Sequence, residues 1–128
     1  IMANVLKRGD WNRHVTRLRE IYVVKQQAIL QALDKYLGPM GNCHWYQPKG
    51  GLCVWLTLPD DIDAGPAGTL LATTIDAGLL YVPGQYCFPV EGQRINRSTI
   101  RLTFGVQSAS SIEQGIAILA ESITKILT

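Results

Sequence analysis

The side chain with the clearest chemical potential is an arginine set inside a strand. In "STIRLTFGV", residues 98–106, Arg101 interrupts a run that otherwise reads as continuous β-structure. Side chains alternate along a strand, so Ile100, Leu102 and Phe104 share one face, while Thr99, Arg101 and Thr103 share the other. Two roles fit such a residue. It is a surface arginine, or one held in a structural ion pair; or it is a guanidinium on a rigid strand, set to receive a planar anion. Arginine suits the second role because its fork meets both oxygens of a carboxylate at once.

The other reactive types offer less. His14 falls on a helical stretch and His44 in a strand, and neither has Cys, Asp or Glu at metal-ligand spacing, so no metal is expected. Cys43, Cys53 and Cys87 are an odd number without C-x-x-C spacing. They point to a reducing, cytoplasmic setting, and a buried strand cysteine acts as a small hydrophobe. The acids of "DDID", residues 60–63, solvate a turn ahead of a helix. Lys49, in "PKGG", stands beside two glycines in an apparent hairpin turn, where it stays protonated and exposed. Neither phosphate-loop pattern, G-x-x-x-x-G-K or G-x-G-x-x-G, occurs. By its residues alone the chain has one anion-binding candidate and no catalytic constellation.

The elements that must position Arg101 are legible from periodicity. Val15, Leu18, Tyr22, Ile29, Leu33 and Tyr36 recur at helical steps, giving a long helix from about Asp10 to Leu37, with Asp10 as N-cap and Gly38-Pro39 as stop. "CHWYQ" and "LCVWLTL" read as two strands joined by "PKGG". The second, apolar on both faces, reads as a central strand covered on both sides. A helix within residues 60–78 has Asp63 near its start and Gly78 at its end. "LLYVPG" is a short strand, and the Arg101 strand follows. The last helix opens with a capping box, Ser110-x-x-Glu113, and buries Ile112, Ile116, Leu119, Ile123 and Leu127. The predicted fold is a two-layer α/β (α+β) domain, a mixed sheet of about four strands with helices mainly on one face.

Residues 1–128 make one domain, too short for two. A hydrophobic share of 47% places the chain among globular proteins, and a net charge of +2 is too small for a nucleic-acid footprint. No apolar run reaches the roughly 20 residues of a membrane helix, and no signal peptide is visible. The opening "IMANVLKRGD" reads as the tail of a helix already under way, as in a piece of a longer protein.

Taken as a set, "HVTRLREIYVVKQQAILQAL", "PKGGLCVWLTLP", "GLLYVPGQYCF" and "TIRLTFG" resemble, in order and spacing, the C-terminal small domain of fold-type-I, pyridoxal-phosphate-dependent aminotransferases of class I/II. The aminoadipate and kynurenine aminotransferase branch is the nearest, and the aminotransferase-like domain of MocR-type transcription regulators is similar too. The resemblance spans nearly the whole chain. It implies that Arg101 grips the α-carboxylate of an amino-acid substrate, that the hairpin with Gly51 closes near that substrate, and that the loop after Gly84 lends an aromatic to the pocket. The family commonly has that aromatic at the position matching Cys87, whereas here Phe88 comes one residue later, so Tyr86, Cys87 and Phe88 are all candidates.

The same resemblance implies what lies elsewhere. The family's catalytic lysine, the aspartate on the pyridine nitrogen and the phosphate cup belong to a large domain expected before Ile1. The full-length protein would bind pyridoxal phosphate, act on an amino acid and a 2-oxo acid, and form a cytoplasmic homodimer. This chain alone would neither hold the cofactor nor transaminate, and it would bind no nucleic acid and no membrane. Two further readings stand beside the enzyme: a cofactor- and effector-binding domain of a MocR-type regulator, and an independent small α/β module that takes a free carboxylate on Arg101.

Overall fold

The computed structural model describes residues 2–92 and 94–128. A short helix, α1 (Met2–Lys7), turns through Gly9 into α2 (Asp10–Tyr36), 27 residues long and thus about 40 Å. The cap of α2 is Gly9, whose left-handed backbone (φ +70°) makes the corner; Asp10, expected as the cap, is instead the first helical residue and pairs with Arg13 one turn on. There its charge favours the positive end of the helix dipole.

Four strands follow: β1 (His44–Trp45), β2 (Cys53–Thr57), β3 (Val82–Pro83) and β4 (Thr99–Thr103). Between them lies α3 (Thr69–Asp76), and α4 (Ala109–Leu127) closes the chain. The sheet order is β1-β2-β4-β3, and every pairing is antiparallel. The expected two-layer α/β architecture of four strands is present, but the sheet is not mixed. The last strand inserts between β2 and β3, which α3 joins as a crossover. These two run in the same direction yet never touch, so no parallel pair forms.

The core lies between one face of the sheet and the helices. Val54 and Leu56 of β2, Ile100 and Leu102 of β4, and Phe104 meet Ile29 and Leu33 of α2, Leu70 of α3, and Ile112, Ile116, Leu119 and Ile123 of α4. Leu127, expected in that stripe, is exposed at the last turn of α4. The other face of β2 is not covered: Cys53, Trp55 and Thr57 are half-buried. Asp63 is also not at a helix start. Its Oδ1 accepts from the Gly65 N–H at 2.7 Å, and α3 begins six residues later, after Gly68.

The expected capping box of α4 gives way to a different cap. Ser108 is the N-cap and accepts from the Ser111 N–H at 3.2 Å. Glu113 is thereby free to reach α2, where its Oε1 accepts from Lys35 Nζ at 2.7 Å and from the Tyr36 hydroxyl at 3.3 Å. The Lys35 hydrogen bond holds the Glu113 carboxyl below its ordinary 4.5, and the same bond holds the Lys35 ammonium above its ordinary 10.5. The depressed carboxyl contributes stability that is complete above its unfolded-state pKa and is lost as pH falls through the folded-state value. The raised ammonium contributes below 10.5 and loses its part as pH rises through the folded-state value. Glu113→Gln is therefore expected to lower the unfolding midpoint modestly at neutral pH, both groups being well exposed and screened by solvent. Thermal melts taken down through the carboxylate range should show the deficit vanishing. A deficit that persists once Glu113 is protonated would refute the ion pair as its source.

Candidate functional site

Arg101 is the middle residue of β4, an inner strand hydrogen-bonded on both sides. In the register, Trp55 of β2 stands directly opposite it on one side and Val82 of β3 on the other. Directly opposed residues share a face, so Trp55, Arg101 and Val82 form one row across the open face of the sheet. Neighbouring rows hold Cys53 and Thr103, whose Sγ and Oγ1 lie 3.5 Å apart, and His44, Thr57 and Thr99. Ile100 and Leu102 on either side of Arg101 are buried in the core. The backbone under the guanidinium is fixed by two ladders and a packed layer, while the guanidinium is exposed.

Among the described residues Arg101 makes no ion pair and no side-chain hydrogen bond. The reading of Arg101 as half of a structural ion pair therefore has no support. A rigidly based cation with its donors unspent is suited to an incoming planar anion. Beside it β3 and β4 stop pairing beyond Val82, and a cleft of about 680 Å³ opens over the first turns of α4, lined in part by Arg101, Thr103, Ser111 and Gly115.

The loop after Pro83 is a 3-10 turn, Gly84–Cys87. Its backbone presses on β4: a Cβ at residue 84 would run into the Thr99 side chain and backbone, so only glycine permits this approach. The turn leaves Tyr86 and Cys87 exposed and sends Phe88 back to the sheet. There its ring meets Trp55 edge-on, with centroids 5.9 Å apart and planes at 63°, a favoured aromatic geometry. Of the three candidates, Phe88 is the one joined to the Arg101 row. Trp55 was not singled out from the sequence. Its alternation put it on the second face of β2, but only the register of β2 on β4 sets it opposite Arg101.

Gly51 is not brought beside Arg101. It takes a positive φ of +79° in the exposed turn of the β1–β2 hairpin, roughly 13 Å along β2 from Trp55 at strand rise. That turn is tied to the long helix, since Gln26 Nε2 donates to the Pro48 carbonyl at 2.7 Å. Lys49 is exposed in the same turn. The aspartates of residues 60–63 face Arg94 and Arg97 across a polar groove, with Asp63 and Arg97 3.8 Å apart. Tyr81 is buried, donates to the Ala64 carbonyl at 3.1 Å and so pins this loop to the segment before β3; burial pushes its phenol up. Burial also raises the Cys43 thiol. Among the described residues no three His, Cys, Asp or Glu side chains gather to hold a metal ion, and no helix is long and apolar enough to cross a membrane.

No protein-family model matches the sequence. Individual relatives do. The chain is 35% identical over 115 residues, 90% of its length, to aromatic-amino-acid aminotransferase 1 of Thermococcus litoralis, of which it spans 26%. It is 26% identical over 98% of its length to the HTH-type transcriptional regulator YisV of Bacillus subtilis, spanning 24% of that protein. Among solved structures, the kynurenine aminotransferase of Pyrococcus horikoshii superposes with a TM-score of 0.84 at 32% identity, over 97% of this chain and 29% of that one. The chain thus spans about a quarter to a third of the proteins it matches. By sequence and by fold alike, it is homologous to the C-terminal part of fold-type-I pyridoxal-phosphate aminotransferases, a group of relatives in which MocR-type regulators also occur.

Proposed function

We propose that this chain is the C-terminal small domain of a pyridoxal-phosphate-dependent aminotransferase, moving an amino group between an amino acid and a 2-oxo acid, and that Arg101 receives the substrate carboxylate. The observation that carries the reading is the state of Arg101: mid-strand, held by two ladders, exposed, and without a partner among the described residues. A bidentate contact there orients both substrates in turn by the group they share. Trp55 stands opposite Arg101 in the register and Phe88 packs edge-on against Trp55, so the row that a carboxylate would approach carries apolar aromatic surface, and lower local polarity strengthens an ion pair. Gly51, Tyr86 and Cys87, the other candidates for substrate contact, stand exposed in the hairpin turn and the 3-10 turn.

In this reading the chain is not itself the cofactor holder, which the surroundings of three of its lysines support. Lys25 is bonded to the Gly105 carbonyl, Lys35 to Glu113, and Lys49 stands in an exposed turn; no lysine stands on the Arg101 face. The cofactor, its lysine and its phosphate cup are assigned to the large domain preceding Ile1. When bound, pyridoxal phosphate supplies the electron sink for the substrate's α-carbon, and this chain contributes binding and orientation. The intact protein is read as a cytoplasmic homodimer on the strength of the family resemblance, and light scattering should give twice the chain mass.

The test is to reduce the full-length protein with borohydride in the presence of pyridoxal phosphate and to locate the adduct by peptide mass spectrometry. A single modified lysine upstream of Ile1 is expected. Labelling spread over surface lysines, or confined to residues 1–128, would refute the reading. A second reading, the effector-binding domain of a MocR-type regulator, is favoured by the match to YisV. It predicts a further domain of roughly 70 to 100 residues at the N-terminus of the parent, with a helix-turn-helix pattern and sequence-specific DNA binding.

A further inference from the structure

On the open face of the sheet Arg101 has neighbours in four directions, and larger or buried groups take three of them. Across the sheet on one side stands Trp55, with Phe88 edge-on against it. The Phe104 N–H donates to the Leu52 carbonyl and the Leu58 N–H to the Ser98 carbonyl, which fixes the alternation of the β2–β4 ladder. Trp55 and Arg101 are thereby a non-hydrogen-bonded pair, the kind whose side chains stand closest. Across the sheet on the other side is Val82, half-buried, where the chain runs through Pro83 into the 3-10 turn. Along β4 towards its start, the next residue on this face is Thr99, which is buried with the backbone of Gly84 pressed against it. The fourth direction is open: Thr103 is exposed, its partner Cys53 is half-buried, and both are small. Sγ and Oγ1 of this pair lie 3.5 Å apart, so each meets the polarity of the other.

We propose that Cys53 and Thr103 determine substrate specificity: the side chain of an amino acid held on Arg101 runs over this row, which admits a bulky, uncharged group, apolar or aromatic. The row lies about 7 Å along the strands from the Trp55–Arg101 row, within reach of such a side chain once its carboxylate is on the guanidinium. Small residues leave depth there, and a thiol at the edge of a ring adds a favourable contact. Arg101 is the only Lys, Arg, Asp or Glu in the four strands. A charged side chain laid over Cys53 would therefore lose water and find no counter-charge on these strands. The inference rests on the reading of Arg101 as the partner of the carboxylate, and adds to it a direction and a side-chain class.

The experiment treats the full-length protein, loaded with pyridoxal phosphate, with iodoacetamide and follows alkylation of the Cys53 peptide by mass spectrometry. The probes are hydrocinnamate, which has the carboxylate and a ring but no amino group to react, and propanoate, which has the carboxylate and no ring. With each at about ten times its dissociation constant, hydrocinnamate is expected to slow labelling of Cys53 at least about fivefold and propanoate less than about twofold. Equal protection by the two, or none by either, would overturn the inference. If Cys53 resists the reagent in the free enzyme, Cys53→Phe carries the test. Its kcat/KM should fall at least about tenfold for phenylalanine and less than about threefold for alanine, and equal losses, or none, would overturn the inference. Repeating the labelling in Arg101→Lys separates this inference from the reading beneath it: there, protection by hydrocinnamate should need at least about tenfold more of it. Protection at an unchanged concentration would overturn the carboxylate assignment alone and leave the side-chain path over Cys53 standing.

Discussion

Arg101→Lys, made in the full-length protein, is expected to lower kcat/KM for every amino-acid substrate by one to two orders of magnitude while leaving the fold intact. Lysine keeps the charge but replaces a planar fork by a point donor, so one of two parallel hydrogen bonds to the carboxylate is lost and the second is no longer aimed. A hydrogen bond to a charged group is worth about 1.5–3 kcal/mol, and every 1.4 kcal/mol is about tenfold. The fold should survive because the side chain is exposed and makes no contact that the core needs, Ile100 and Leu102 supplying the packing on either side. Steady-state kinetics on at least two amino acids, with a circular dichroism spectrum of each variant, check this. A loss common to all substrates is the signature of a group that reads the shared carboxylate. A loss confined to one substrate would move Arg101 to side-chain recognition, and unchanged kinetics would remove it from the site.

The second large effect is on stability. Phe104→Ala should cost about 3–5 kcal/mol, the range for a fully buried phenylalanine whose cavity cannot collapse. Phe104 is 1% exposed and follows β4 directly; its N–H donates to the Leu52 carbonyl at 3.0 Å, joining the hairpin to the Arg101 strand. Removing the ring empties the end of the core that β4 shares with α2 and α4. Hydrogen exchange of the amides in residues 99–104 of the full-length protein is the suitable readout, because it isolates this domain from the rest. At about 1.4 kcal/mol per decade, exchange limited by opening should accelerate at least a hundredfold. An acceleration under about tenfold would mean that the site relaxes around the deletion. Since Arg101 lies three residues upstream, on the strand that Phe104 follows, some loss of substrate affinity should accompany the destabilisation, whereas Arg101→Lys should lose affinity without it. The pair of variants separates the strand as a support from the guanidinium as a ligand.

The homologues bear on which of these effects is biologically read out. An aminotransferase and an HTH-type regulator both match along nearly the whole chain, so the domain serves chains that differ outside it. The carboxylate contact proposed for Arg101 would be useful in either, as orientation for chemistry or as recognition of an effector. The kinetic and DNA-binding tests on the parent chain therefore discriminate between the two, while the structural predictions hold for both.

Much of the domain was legible in the sequence because its signals are local. Helical periodicity gave α2 from Asp10 nearly to Leu37 and the buried face of α4, and alternation placed Ile100 and Leu102 opposite Arg101. These patterns depend on the geometry of one element at a time, so a single chain suffices to read them. What the tertiary structure alone decided concerns relations between elements distant in sequence. Insertion of β4 between β2 and β3 made the sheet antiparallel throughout and set Trp55 opposite Arg101. No periodicity encodes that neighbour, because register is fixed by which side chains fill the shared core. Phe88, unlike Tyr86 and Cys87, is turned back onto Trp55 by the 3-10 turn that Gly84 allows against Thr99, a contact across 15 residues of chain. Glu113 left its expected cap for Lys35 because packing of α4 on α2 brought a charge within 2.7 Å. The long stripe of α2 shows the same division: the sequence determined which face is apolar, and only the folded domain shows that this face is buried at Ile29 and Leu33 and half-buried at Val15, Leu18 and Tyr22.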